Sequence, residues 1–384
     1  GKPVVVGGRP NERGVVAAAS YAARKFGVHS AMPLARAYRL CPQAVFLDGH
    51  PERYREYSGR VHEIFRHYSP LVEMASIDEA YLDLTGCERL LGPALQAAHR
   101  LHEEVRRQTR LACSIGIAAS RLVAKIASDQ AKPNGVLWVL PGAETAFLAP
   151  LEVRKIPGVG PVTERNLEQL GIRKVGDLAR LEEKFLEEKF GLWGLALAGK
   201  ARGEDAGGWF DAPVGADEDP KSVSHETTYG KDTAEATVLE GTLARLAQMV
   251  GRRLREYGLH GRTVQLKLRY SDFSTITRAQ TLEETTQLDT VLFTAARELF
   301  RRNWSQGRAV RLLGVQVSGL SRKEGQLDLL EGRQKEKWRR ALEAADKLRD
   351  RYGERSVELA GGLESGWKER VHENPASLPG KRRG

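Results

Sequence analysis

The chain has 384 residues, which at ~100–200 residues per domain leaves room for several domains with sizeable cores. Lys and Arg number 60 against 50 Asp and Glu, a formal charge of +10, and 41% of residues are hydrophobic, a balance that excludes a disordered tail. No apolar run approaches the ~18 residues of a bilayer-crossing helix, and three distant cysteines, Cys41, Cys87 and Cys113, encode neither a disulfide framework nor a zinc ribbon and point to a reducing, cytoplasmic setting.

In chain order, Val4–Val6 reads as a buried strand and Gly14–Lys25 as an Ala-rich helix with a small, close-packing face. An amphipathic helix is predicted over Pro51–His67, then a strand through Val72, Met74 and Ser76 and its return over Ala80–Leu84. Leu91–Thr109 predicts a helix, Cys113–Ile117 a strand, and Arg121–Gln130 a helix that stops at the turn Lys132-Pro133-Asn134-Gly135. Strands alternating with helices, several as antiparallel neighbours, indicate an α+β sheet layered with helices. Short helices follow from residue 140 to about Lys200, and the Gly-, Asp- and Pro-rich stretch Gly203–Pro220 reads as a linker. A second α+β unit comes next: strand 221–229, helix 236–257, strands 262–270 and 276–284, helix 288–303 and strand 309–318. That β-α-β-β-α-β order makes a small sheet with two helices on one face. Trp338, Leu342, Ala345, Leu348 and Tyr352 mark one more amphipathic helix before a basic end.

The charge falls in blocks: +6 over residues 1–139, −1 over 140–206, −3 over 207–218, +4 over 219–320 and +4 over 321–384. Two basic surfaces on either side of a neutral block fit a polyanion held between them.

Chemistry concentrates at Ser76-Ile77-Asp78-Glu79-Ala80-Tyr81-Leu82-Asp83-Leu84, where two adjacent carboxylates stand between two apolar strands. Strand neighbours point to opposite faces, so Asp78 and Glu79 serve one site only at a bend, which a hairpin tip provides. Hard Mg²⁺ is commonly held by one or two carboxylates plus substrate phosphates, and two such ions clamp an in-line phosphoryl displacement. Taken alone, the same dipeptide also reads as a turn cap. Arg24, near Tyr21, offers a fork for phosphate oxygens, and Lys132 a point charge held at a turn. His99 and His102 stand three apart on one helix with no spaced carboxylate or cysteine, and read as a solvated face.

Asn11–Val28, Ala75–Leu84, Gly116–Gly135 and Ile156–Gly171, in collinear order, together resemble a Y-family DNA polymerase of the bacterial DNA polymerase IV (DinB) group. The resemblance implies a right hand: fingers over 1–50, a palm with a ferredoxin-like sheet over 51–139, a helical thumb over 140–206, a linker over 207–218, and a β-α-β-β-α-β little finger over 219–320. The tail, 321–384, follows. Position by position it makes Asp78 and Glu79 the metal-binding, catalytic carboxylates, Tyr21 and Arg24 the fingers residues on the incoming triphosphate, and Lys132 the palm lysine on the same phosphates. The activity implied is low-fidelity, low-processivity translesion synthesis with two Mg²⁺ ions, for which Mn²⁺ can substitute, on primed template DNA and deoxynucleoside triphosphates, by a monomer with no membrane association. Family members open with an Asp-x-Asp-x-Phe-Phe strand that supplies another metal-ligating aspartate and a ribose gate. No such segment stands before Gly1, so the reading expects an N-terminal truncation and a palm sheet lacking one strand. A non-catalytic DNA-binding accessory built on the same fold is the alternative.

Three further segments extend the resemblance. Ile156-Pro157-Gly158-Val159-Gly160-Pro161 has helix-hairpin-helix spacing, where Gly158 and Gly160 let the backbone turn and the following helix meets a DNA phosphate. Lys221, Ser222 and Ser224 resemble the little-finger strand that tracks the template, with Arg269 and Arg278 on neighbouring strands as phosphate contacts. Gln326-Leu327-Asp328-Leu329-Leu330 resembles a sliding-clamp-binding peptide, with Gln326, Leu327, Leu329 and Leu330 as its anchors.

Overall fold

The structure, a computed structural model, describes residues 1–216, 219–322, 332–353 and 356–357. It divides into two units: Gly1–Pro51 with the described residues from Asp219 onward, and the described residues from Glu52 to Ala216.

The first fifty residues form β1 (Val4–Val6), β2 (Ala18–Ala19), α1 (Tyr21–Arg24), α2 (Leu34–Leu40) and β3 (Val45–Leu47), in a sheet of order β2-β1-β3. The helix expected over Gly14–Lys25 is not there. Ala17 and Val16 instead bond their N–H groups to Val6 and Met32 carbonyls at 2.8 Å each, and Ala19 sits opposite Val5. Burial of Val5, Val16 and Met32 in one core outweighs the helix propensity of the alanines, and only Tyr21–Arg24 turns helical, capped by Ser20.

In the second unit run α3 (Pro51–Arg66), β4 (Leu71–Met74), β5 (Ala80–Asp83), α4 (Glu88–Leu91), α5 (Ala94–Thr109), β6 (Ile115–Ile117), α6 (Arg121–Gln130) and β7 (Val136–Trp138). β4 and β5 pair antiparallel and β6 and β7 parallel. Among the described residues the two pairs stay separate ribbons rather than one palm sheet. Ile64, Tyr68, Leu101 and Val105 fill the core between α3 and α5. Gly116 lets α6 lie against β6: a Cβ there would stand 2.0 Å from the Ala124 carbonyl oxygen. The short helices α7 (Glu144–Leu148), α8 (Pro161–Gln169), α9 (Val175–Ala179), α10 (Glu183–Phe190) and α11 (Leu192–Arg202) follow. Their Leu167, Leu178, Leu186 and Leu197 share one core with Leu122, Val123 and Ile126 of α6, so α6 is buried on the thumb side.

The expected linker is, over its described residues 203–216, a strap fastened to this unit. Asp205 accepts the N–H groups of Arg121 (2.9 Å) and Leu122 (2.8 Å) at the start of α6. The Arg121 guanidinium, 7% exposed, lies 4.1 Å from the Trp209 ring and 4.9 Å from the Tyr81 ring, and donates to Glu73 at 3.0 Å. Trp209 Nε1 and the Gly215 N–H donate to the same Glu73 carboxylate at 2.8 and 2.9 Å. The backbone of this stretch carries one 3₁₀ turn, Gly208–Asp211, and Trp209 and Phe210 of that turn anchor it. Lys200, buried, places its ammonium 4.0 Å from the Phe210 ring.

The first unit resumes with β8 (Ser222–Thr233), α12 (Ala236–Glu256), β9 (His260–Tyr270), β10 (Thr275–Thr286), α13 (Asp289–Asn303), β11 (Val310–Ser321) and α14 (Gly332–Tyr352). The sheet has order β10-β9-β11-β8, antiparallel throughout, as the predicted β-α-β-β-α-β topology requires. Leu243, Leu246, Val250, Leu292 and Phe300 of the two helices pack on Val264, Leu266, Leu268, Leu313 and Val315 of the sheet, which leaves its other face open. α14 docks through Asp346, which takes Arg255 at 2.6 Å, and through Asp350, which takes Arg252 at 2.6 Å.

Candidate active site

The β4–β5 register pairs Met74 with Ala80 and leaves residues 75–79 as the hairpin tip. The N–H groups of Ala75 and Ser76 both donate to the Glu79 carbonyl, at 2.9 and 3.1 Å, which closes the bend. Ser76 Oγ donates to Asp78 Oδ1 at 2.6 Å and accepts the Asp78 N–H at 3.2 Å. This local clasp fixes the first carboxylate, and the bend lets the second share its end of the hairpin. Glu79 is ion-paired with Lys125 of α6, a residue that no sequence motif marks. Lys125 lies one helical turn past Arg121, which holds Glu73 on β4, one register pair from the tip. One face of α6 therefore grips the hairpin at its tip and on the strand just before it. Behind the tip, Tyr81 is half-buried, and burial pushes its phenol well above the ordinary range.

Lys132 follows α6 directly. Its ammonium bonds Asp129 Oδ1 at 2.6 Å, and Asp129 Oδ2 stands 4.0 Å from the Lys125 ammonium. Asn134, at φ 57°, turns the chain into β7, and His102 Nε2 lies 3.1 Å from its side-chain oxygen. His102 thus braces the Lys-Pro-Asn-Gly turn, whereas His99 is exposed as expected. Asp78, Glu79 and Lys132 are brought onto one side of one unit through α6.

Tyr21 and Arg24 belong to the other unit. Both are exposed, Arg24 donates Nε to the Ala19 carbonyl at 3.0 Å, and its guanidinium sits 5.4 Å from the Tyr21 ring, so the two present one surface.

At the hairpin before α8, Gly158 has φ 96°, and a Cβ there would stand 2.6 Å from the Trp193 ring. Gly160 is the N-cap of α8 with Pro161 in the first turn, and Val162 beyond it is exposed, so this helix start faces solvent. The element before the hairpin is a 3₁₀ turn, Val153–Lys155, rather than a long helix.

In the small sheet Ser222, Ser224 and Glu226 share the open face with Gln316, Gln265, Lys267 and Arg269 by register. Lys221 precedes β8 and is exposed. Gly314 lies between Glu226 and Lys267, and without a side chain there those two pair across β11 at 2.7 Å. Arg269 bonds Thr275 at 2.9 Å. Arg278 stands opposite the core residue Leu266, on the helix-bearing side at the β10 edge, so it does not share a face with Arg269. Gln326, Leu327, Leu329 and Leu330 lie outside the described residues.

Among the described residues no group of three or more His, Cys, Asp or Glu side chains gathers as a metal cage, and no helix is long and apolar enough to cross a membrane.

Residues 1–129 match the impB/mucB/samB family, 141–172 the IMS family HHH motif, and 220–329 the impB/mucB/samB family C-terminal domain. A DNA polymerase IV of Dehalococcoides mccartyi is 42% identical over 358 residues, covering 93% of this chain and 90% of that protein. A DNA polymerase IV of Alkalilimnicola ehrlichii is 44% identical over 320 residues, 83% of this chain and 88% of that protein. Among solved structures, a Y-family DNA polymerase chimera, Dbh-Dpo4(243-245)-Dbh, aligns with a TM-score of 0.69 at 27% identity, and an insertion ternary complex of Dbh DNA polymerase with 0.56 at 27%. Each covers 83% of this chain and 92% of its own. Family matches along most of the chain, together with relatives 42–44% identical over most of its length, show that the chain belongs to the impB/mucB/samB family, the DinB-type Y-family DNA polymerases.

Proposed function

We propose that this protein adds deoxynucleotides to a primer 3′ end opposite a damaged or undamaged template, with Asp78 and Glu79 as the carboxylates that hold the catalytic cations. The observation that carries the reading is the hairpin tip: two adjacent carboxylates brought to one end of a two-stranded ribbon, with lysines of one helix and its following turn beside them. Both are hard oxygen donors at an exposed bend, and two carboxylates completed by substrate phosphates suit Mg²⁺, or Mn²⁺ in its place, without an all-protein cage. Bound there, two divalent ions would stabilise the attacking and leaving oxygens of an in-line displacement.

The chain's own residues do the rest. Ser76 orients Asp78, Lys125 holds the charge of Glu79, Lys132 and, from the fingers, Arg24 neutralise triphosphate oxygens, and the Tyr21 hydroxyl donates a hydrogen bond to them. Gly158 and Gly160 open the α8 backbone to a DNA phosphate, and Lys221, Ser222, Ser224 and Arg269 grip the template backbone without reading sequence, while Arg278, on the helix side of the sheet, takes no part in that grip. Gln326, Leu327, Leu329 and Leu330 tether a monomeric polymerase to a sliding clamp in the cytoplasm. The test is incorporation on four primed templates that differ only in the templating base. Each is expected to direct its complementary nucleotide, with loss of incorporation in chelator and recovery with Mg²⁺. Incorporation indifferent to the templating base, or none, contradicts the reading.

A further inference from the structure

Four side chains form a line of alternating charge beside the hairpin tip: Glu79, Lys125, Asp129 and Lys132. Glu79 pairs with Lys125, the Lys125 ammonium lies 4.0 Å from Asp129 Oδ2, and Asp129 Oδ1 takes the Lys132 ammonium at 2.6 Å. Lys125 and Asp129 are four apart on α6 and share a face, and Lys132 comes three residues further on. These side chains are 45, 23, 40 and 49% exposed, so their pairings can exchange at the surface without disturbing a core. Asp129 is the joint, because one carboxylate is shared between two ammonium groups.

We propose that Asp129 is a positioning residue that couples cation loading at Glu79 to triphosphate capture by Lys132, an inference that rests on the polymerase reading above. A cation on the Glu79 carboxylate repels the Lys125 ammonium. The nearest other acceptor on the same helix face is Asp129, already within 4.0 Å. With its charge then answered by Lys125, Asp129 holds Lys132 less tightly, and Lys132 turns to the triphosphate oxygens. The coupling is reciprocal: triphosphate on Lys132 leaves Asp129 to Lys125 and so frees Glu79 for a cation. Asp129 itself touches neither ligand in this scheme.

The test is binding of inorganic tripolyphosphate to the full chain in chelator, followed by calorimetry, so that no catalysis enters the readout. Glu79→Gln removes the charge that a cation would neutralise and is expected to tighten binding about fivefold, the lower end of ordinary coupling. In an Asp129→Asn background the carboxylate shared by the two ammonium groups is gone, and the same Glu79→Gln change is expected to alter binding by less than about twofold, the residue left by screened through-space charge. Asp129→Glu keeps the shared carboxylate and restores the larger effect. An equal Glu79→Gln effect with and without the Asp129 charge, or none in either, overturns the proposal. Primer extension by the unaltered chain, run alongside, separates the two readings. Extension without coupling removes only this inference, whereas no extension removes the polymerase reading and the inference with it.

Discussion

Glu73 is the residue on which the hairpin's anchorage turns. Its 6%-exposed carboxylate accepts from Arg121, Trp209 and Gly215, and Arg121 is itself buried between two rings. Glu73→Gln would leave that guanidinium buried without a counter-charge, a loss of about 3–5 kcal/mol, to be read as a lower urea midpoint with an unchanged slope. Trp209→Ala removes the ring that covers the same guanidinium and one donor to Glu73, and, with the indole 40% exposed, is expected to cost a smaller ~1–3 kcal/mol. A change under about 1 kcal/mol in either variant would mean that the strap is not fastened to the hairpin. None of this was legible in the residues alone, because Glu73 and Arg121 lie 48 positions apart and Gly203–Pro220 has the composition of a free linker. Asp78, Glu79 and Lys132, by contrast, were legible because their types and spacing carry the chemistry directly. Lys125 was not, since its pairing with Glu79 depends on how α6 lies across the hairpin.

At the scale of elements, the packing of α3 against α5 sets a pH response. His62 of α3 is buried, and burial depresses its pKa below the ordinary value, against a smaller opposite pull from Glu63. The unfolded chain, with its histidine near ~6.5, then binds more protons than the folded one just below that pH. Stability contributed by neutral His62 is complete above pH ~6.5 and is lost as the pH falls through the depressed folded value. Melting temperatures measured from pH 7.5 to pH 5 should fall less steeply for His62→Gln than for the unaltered chain, and parallel curves would refute the assignment. α6 makes a second case. Gly116→Ala would push a methyl into the α6 backbone, and ~1–3 kcal/mol of lost stability is expected from a displaced helix. The elements themselves were readable where periodicity and burial agree, as in α6, α12 and α13. The Gly14–Lys25 helix failed because propensity is local, while the hydrogen bonds of Val16 and Ala17 to Met32 and Val6 are not.

For the whole molecule, the basic block over 219–320 divides its cations between the two faces of one sheet. In the little finger the register puts Arg269, Lys267, Ser222 and Ser224 on the open sheet face and Arg278 on the other. If the open face follows the DNA backbone, Arg269→Ala weakens binding alike across sequences and lowers the salt-dependence slope by about 1, whereas Arg278→Ala leaves that slope nearly unchanged. The reverse pattern would put DNA on the helix side. Charge by segment could announce a polyanion partner but could not separate these faces, because that depends on which strand neighbours which. The central claim is that the carboxylates at the β4–β5 tip carry phosphoryl transfer, and it is tested most directly by single-nucleotide incorporation with Asp78→Ala and Glu79→Ala beside DNA binding by the same proteins. The account predicts a loss in rate of at least about 10³-fold in each variant, as expected when catalytic metal ligation fails, with DNA affinity within about twofold of the unaltered chain. Incorporation at the normal rate by either variant would contradict it.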